Sequence, residues 1–359
     1  MLNIFTFSYC LKSGGAERQL AFLSDELMKN YNCITVVFDS KKNDYNVKSK
    51  IISLKIPLPP YRNRLEYILY LIIATIKLFF LKIKYKPVCT ISFLDMPNYA
   101  NIFSLIGKKI CKVDFVKSSI FKNGMIIKKI VSLVYSFSNL IVANSYCVKN
   151  DLVLNFKFNS DKVIVIYNIF DFNKINKLSN SELKLEHENI FKKDVLLAVG
   201  RLSWDKTQWY IIKSFDIVKE KFPDVHLVFL GDGPMLPYLR RHASCSKYPS
   251  DIHFFGFESN PFCYMKKAKI LVHSSPFEGF GNIFVEAMAC SLPIVAADCL
   301  SSREILFFED INQYDDLIIG SCGIQVRAVR WRFIELDSLP SESVNIAMGT
   351  RLSGLAISS

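Results

Sequence analysis

Two series of short apolar runs, each alternating with helical patterns, constrain this chain more than any other feature. Candidate strands at 2–7, 34–38, 88–93, 140–143 and 163–167 form the first series. Those at 195–199, 226–230, 252–255, 270–273 and 294–297 form the second. Helical patterns such as 16–30 and 208–221 lie between them. Strands that are apolar on both faces, separated by helices, pair in parallel and are covered on both sides. The expectation is an α/β protein of two Rossmann-like, doubly wound parallel-sheet domains, residues 1–170 and 194–329. The Asn/Ser/Lys/Glu-rich stretch 171–193 reads as a link between them. A tail at 330–359 shows only weak amphipathic order. The 359 residues suffice for two domains of ordinary size.

Charge separates the halves. Residues 1–180 carry 26 Lys/Arg against 11 Asp/Glu, and residues 181–359 carry 19 against 22. A basic half suits an anionic partner: a membrane surface, a phosphorylated acceptor or nucleic acid. The ten scattered cysteines form no Cys-x-x-Cys pair, which fits free thiols in a reducing compartment better than disulfides or a zinc site. No basic segment precedes 2–7, so no secretory leader is expected. The apolar run 65–83 contains Glu66, Lys77 and Lys82, against the ~20 mainly apolar residues a spanning helix needs. It reads as a core helix or as a helix in a membrane interface, flanked by Arg62, Arg64, Lys82, Lys84 and Lys86. Segment 122–138 repeats the theme, with Lys128 and Lys129 beside an apolar stripe.

Four strand-to-helix turns carry residues suited to chemistry. Ser13-Gly14-Gly15-Ala16-Glu17-Arg18 follows the first strand, where glycines let a backbone approach a ligand or simply make a turn. Val199-Gly200-Arg201-Leu202-Ser203-Trp204-Asp205-Lys206 opens the second half, and its two cations suit a diphosphate. Gly231-Asp232-Gly233-Pro234 reads first as a tight turn before a helix. Gly256 ends another strand, where a base or ribose could meet backbone. The run 276–290, PFEGFGNIFVEAMAC, places Glu278 on a loop and Glu286 within a helix, and unpaired N–H groups at that helix start suit phosphate. All five histidines lie after residue 180, so a strong base in the first half would have to be Asp95, Asp114 or another acid.

Taken in order, GGAER, VGRLSWDK, GDGP, the Glu278-x7-Glu286 element and Arg303-Glu304 resemble the pattern of the GT-B glycosyltransferases of family GT4. The likeness covers roughly residues 1–310. It implies a GT-B architecture, two such domains facing a cleft, with acceptor bound by the first and nucleotide-sugar by the second. It implies that Arg201 and Lys206 hold the donor diphosphate, Glu278 the transferred sugar and Glu286 the ribose. It implies further donor contacts from Gly14, Gly15, Gly256, Gly279, Phe280, Gly281, Asn282 and Ile283. Transfer with retention, without a metal or other cofactor, is the implied reaction. Thr207 and Ser291 stand where that family commonly has glycine.

The expected activity is therefore transfer from a UDP-sugar, less often a GDP-sugar, to a lipid-linked or polysaccharide acceptor. Lipopolysaccharide, O-antigen or capsule-type assembly at the cytoplasmic face of an anionic membrane is the setting, with no nucleic acid involved. Two rivals stand beside it: a non-catalytic basic membrane- or nucleic-acid-binding protein, and a sugar-nucleotide epimerase of similar architecture.

Overall fold

The computed structural model describes residues 1–12, 14–40, 45–59, 63–114, 124–306, 312–314, 317–320 and 323–326. Ser13, Arg62, Lys122 and the tail 330–359 lie outside them. The chain divides into two compact units between Ile169 and Phe170.

The first unit runs β1 (Asn3–Ser8), α1 (Gly15–Leu27), β2 (Asn32–Val37), β3 (Lys50–Ser53), α2 (Arg64–Tyr85), β4 (Cys89–Phe93), α3 (Asp95–Phe103), β5 (Lys108–Val113), α4 (Met125–Ser136), β6 (Leu140–Ala143), α5 (Tyr146–Phe156) and β7 (Val163–Val165). Its seven strands lie in the order β3-β2-β1-β4-β5-β6-β7, every pair parallel. Phe5 and Phe7 of β1 are buried against Ala74 and Leu78 of α2 and Met96 and Ala100 of α3. Side chains fix the helix starts: Asn63 accepts from Glu66 N at 2.8 Å and Ser145 from Val148 N at 3.1 Å.

Helix α2 is neither a plain core helix nor a membrane span. Only Ala74, Leu78 and Lys82 are buried along its 22 residues. Ile68, Ile72, Ile76 and Phe80, spaced by four, are each at least half exposed and form a continuous apolar ridge. Among the described residues no helix is long and apolar enough to cross a membrane. Lys82 does not flank the ridge as expected. It points inward, fully buried, with Nζ donating to Asn101 Oδ1 at 2.8 Å, because position 82 shares the face of Leu78. Helix α4 exposes Ile126, Ile130 and Leu133 in the same manner.

The second unit runs α6 (Phe172–Ser179), α7 (Leu185–Glu188), β8 (Val195–Val199), α8 (Trp209–Lys221), β9 (His226–Leu230), α9 (Leu236–Ser244), β10 (Ile252–Gly256), α10 (Phe262–Lys267), β11 (Ile270–His273), α11 (Asn282–Ala289), β12 (Ile294–Ala297), α12 (Leu300–Leu306), β13 (Asn312–Tyr314), β14 (Leu317–Gly320) and β15 (Gly323–Val326). The sheet order is β10-β9-β8-β11-β12-β15-β14-β13, parallel through β15 and antiparallel for the last two pairs. The stretch 171–193 is not an open link. Asp171 caps α6 by accepting from Lys174 N at 2.9 Å, and Ile175 and Leu183 enter the core of this unit. Its polar residues cover one face, which hid the short apolar stripe.

Candidate functional site

Parallel strands end together, so the loops after β8, β9, β10 and β11 share one edge of the second sheet. Glycine makes their close approach possible. Gly200 and Gly231 end β8 and β9 with φ of +141° and +144°, and a Cβ on Gly231 would overlap the Gly200 carbonyl. Gly200 N donates to Leu230 O at 3.0 Å, and Gly231 N donates to Gly256 O at 2.7 Å. Gly233 is equally constrained: a Cβ there would run into the backbone of Leu202. The GDGP turn is therefore a structural brace for the Arg201 loop, the first of the two readings its sequence allowed.

That loop is also stitched to the one after β11. Thr207 Oγ1 donates to Ser274 O at 2.7 Å, and Ser274 Oγ donates to Lys206 O at 2.7 Å. Thr207 has φ +50° and Ser291 has φ +57°, which is the physical reason glycine suits both places. At 207 the hydroxyl bond offsets the strain.

This stitching brings Lys206 and Glu278, 72 residues apart, into contact. Lys206 Nζ lies 2.5 Å from Glu278 Oε1. His273 Nε2, at the end of β11, lies 2.9 Å from the same oxygen. Burial alone pushes the Glu278 carboxyl up. The His273 hydrogen bond and then the Lys206 charge outweigh it and hold the group at about 2, so it is a carboxylate throughout the neutral range. His273 was not among the residues singled out from sequence. Its position as the last residue of a strand on the ligand-bearing edge was the available signal.

Helix α11 begins just after Gly281, which has φ +83° and where a Cβ would lie 2.6 Å from Phe284 Cδ2, so only glycine fits. No side chain caps this helix. Its first turn, around Asn282 and Ile283, follows directly on the loop that carries Glu278. Glu286 is buried, 6 % exposed, in the second turn of α11. Arg201 is exposed, and its guanidinium has no partner among the described residues. Arg303 forks onto Asp298, with Nε to Oδ1 at 2.8 Å, so it serves the local ion pair.

In the first unit, Gly14 precedes α1 and Gly15 is its first residue. A Cβ on Gly14 would collide with the Glu17 carboxylate. Burial raises the carboxyl of Glu17, with Asp114 adding to it. Asp114 follows β5 and is raised by burial against the pull of Lys112, whose Nζ is 3.4 Å away. Asp95 begins α3 and accepts from Tyr135 Oη at 3.4 Å.

Two parallel-sheet α/β units, the second with glycine-braced loops at its strand ends, define a protein of GT-B fold. The profile of the family described as "Glycosyl transferases group 1" matches residues 180–308. The Campylobacter jejuni N-acetylgalactosamine-N,N'-diacetylbacillosaminyl-diphospho-undecaprenol 4-alpha-N-acetylgalactosaminyltransferase is 29% identical over 327 residues, 86% of this chain and 84% of that protein. An uncharacterised glycosyltransferase of Methanocaldococcus jannaschii is 28% identical over 271 residues, 71% of this chain and 67% of that one. Among solved structures, Anabaena HepE, in complex with UDP and glucose, matches with a TM-score of 0.71 at 17% identity, over 97% of this chain and 88% of its own. Together these matches support a group 1 glycosyltransferase of GT-B fold, whose activity is glycosyl transfer.

Proposed function

We propose that the chain moves a sugar from a UDP-sugar to a lipid-linked or surface-polysaccharide acceptor, with retention at the anomeric carbon, in lipopolysaccharide, O-antigen or capsule-type assembly. The observation that carries this is the Glu278 carboxylate, held charged by Lys206 and His273 on the loop before α11. Arg201 and Lys206 neutralise the charge that develops on the departing diphosphate, and the N–H groups at 280–283 add to that grip. Glu278 accepts from a hydroxyl of the transferred sugar and Glu286 from the ribose. Gly14 and Gly15 open the first unit's backbone to a ligand at the start of α1, and Gly256 and Gly279 do the same at the second unit's edge. The two cations do the work a metal would otherwise do, so we propose no metal or other cofactor. Support for the donor and acceptor classes comes from the relatives: HepE was solved with UDP and glucose, and the Campylobacter protein is named for a diphospho-undecaprenol acceptor.

The acceptor class agrees with the surface of the first unit. The exposed ridges of α2 and α4 lie beside Arg64, Lys84, Lys86, Lys128 and Lys129, which suits peripheral contact with an anionic membrane from the cytoplasmic side. The basic half thus serves lipid and not nucleic acid. A thermal-shift panel of UDP-, GDP- and ADP-sugars tests the donor: a UDP-sugar is expected to raise Tm most, and no response to any would remove the donor site. Co-sedimentation with phosphatidylglycerol vesicles tests the surface. Ile72→Glu with Phe80→Glu is expected to abolish it, and undiminished binding refutes that assignment.

A further inference from the structure

The Lys206 ammonium and the His273 imidazole converge on one oxygen of Glu278, at 2.5 and 2.9 Å. A carboxylate oxygen has two lone pairs, so both places on Oε1 are taken. A sugar hydroxyl can donate to Oε1 only after one contact breaks. The two partners differ in how easily they leave. Lys206 is 24 % exposed, on a long flexible stem in a loop turn. His273 is 9 % exposed, at a strand end, with its ring edge-on to Phe284 at 5.0 Å. A diphosphate offers an ammonium more charge than a carboxylate does.

We propose that the Lys206–Glu278 ion pair is a latch opened by the donor's diphosphate, and that His273 is the positioning residue that keeps Glu278 aimed at the sugar once Lys206 has moved. The inference rests on the donor-site reading and deepens it. Lys206 moves onto the diphosphate, one lone pair of Oε1 is freed, and a sugar hydroxyl donates into it. No covalent bond changes in the latch. UDP alone opens it, but only a donor with its sugar uses the freed oxygen. The groups facing Glu278 are Lys206 from the loop after β8, His273 from β11 and Cys299 from the loop after β12. Losing His273 leaves burial less opposed, so the Glu278 carboxyl rises and the acid limb of activity moves to higher pH.

The experiment combines calorimetric UDP binding with UDP release from UDP-glucose, UDP-galactose and their N-acetyl forms, across pH. Glu278→Gln is expected to tighten UDP about threefold or more, because Lys206 no longer has a carboxylate to leave. His273→Ala is expected to keep the UDP Kd within about twofold while kcat/KM falls about 10- to 100-fold and its acid limb rises. His273→Gln, whose amide N–H can take the place of Nε2–H, is expected to recover part of the rate and the original limb. Unchanged or weaker UDP binding in Glu278→Gln overturns the latch. Unaltered kcat/KM and limb in His273→Ala, or loss of UDP binding in both His273 variants, overturns the positioning role. A wild-type chain that binds no UDP and releases none overturns the donor site first, and the latch with it.

Discussion

Replacing Glu278 by glutamine removes a charge while keeping shape, and the geometry sets what this costs. The carboxyl is held at about 2 against an ordinary 4.5, and its side chain is only 14 % exposed. That lowering corresponds to about 3 kcal/mol of folding free energy when the group is ionised in both states. The sign is fixed by the direction. A carboxyl depressed on folding adds stability that is complete above the unfolded value of 4.5 and is lost as pH falls through about 2. Glutamine mimics the protonated acid. The stability difference between wild type and Glu278→Gln is therefore expected to be ~3 kcal/mol at pH 7, to shrink below pH 4.5 and to vanish near pH 2. Urea unfolding followed by tryptophan fluorescence reads this locally, because Trp204 and Trp209 flank Lys206 in sequence. A Glu278→Gln protein as stable as wild type at pH 7, or a gap that stays constant to pH 2, would show that Lys206 and His273 do not hold the carboxylate as described.

Four further outcomes follow from single positions. Gly231→Ala puts a Cβ into the Gly200 carbonyl at φ +144°, and is expected to cost about 3 kcal/mol or more by urea unfolding and to loosen the Arg201 loop. Ser291→Gly, which relieves φ +57°, is expected to stabilise by a few tenths to ~1 kcal/mol, whereas Thr207→Gly gains less because it forfeits the bond to Ser274 O. Lys82 is fully buried, and burial holds it down at about 7, so the fold pays to neutralise it below its unfolded value of 10.5. Lys82→Met is expected to raise stability at pH 7 by about 2 kcal/mol after the lost Asn101 bond, with the gain fading as pH approaches 10.5.

Most of the second sheet was legible because β8, β9, β11 and β12 are mainly apolar runs with at most one terminal histidine, and the observed bounds match the expected ones there. The first sheet was harder for a physical reason. Strand β5 reads KKICKV, and its lysines disguise it, yet Lys112 is 7 % exposed with Nζ on Asn168 Oδ1 at 2.8 Å and stacked over Phe93. A buried lysine with a local acceptor breaks the apolar pattern without breaking the strand. Strand β3, KIIS at a sheet edge, has only two apolar residues between polar ends and so shows no run. The helix 172–179 was missed because its two polar-rich turns present only Ile175 as a fully buried apolar side chain.

The sequence offered the residue types of the candidate site but not their pairing. Sequence set Lys206 and Glu278 apart as diphosphate and sugar contacts, and nothing in their spacing says they touch. Contact follows from sheet order: β8 and β11 are neighbours although β9 and β10 intervene in the chain, so the loops after them lie side by side. Glycine sets how near those loops come, and Thr207 with Ser274 sets their register to one hydrogen bond each way. His273 then enters the site for a reason of strand period. With β11 ending at 273, its last side chain points to the face on which the loop returns five residues later with Glu278. A shift of one residue in β11 would put Val272 there instead and leave the carboxylate with Lys206 alone. The surroundings of Glu278 are thus set by the length of a four-residue strand, which explains why a histidine outside the Glu-x7-Glu element touches its first carboxylate.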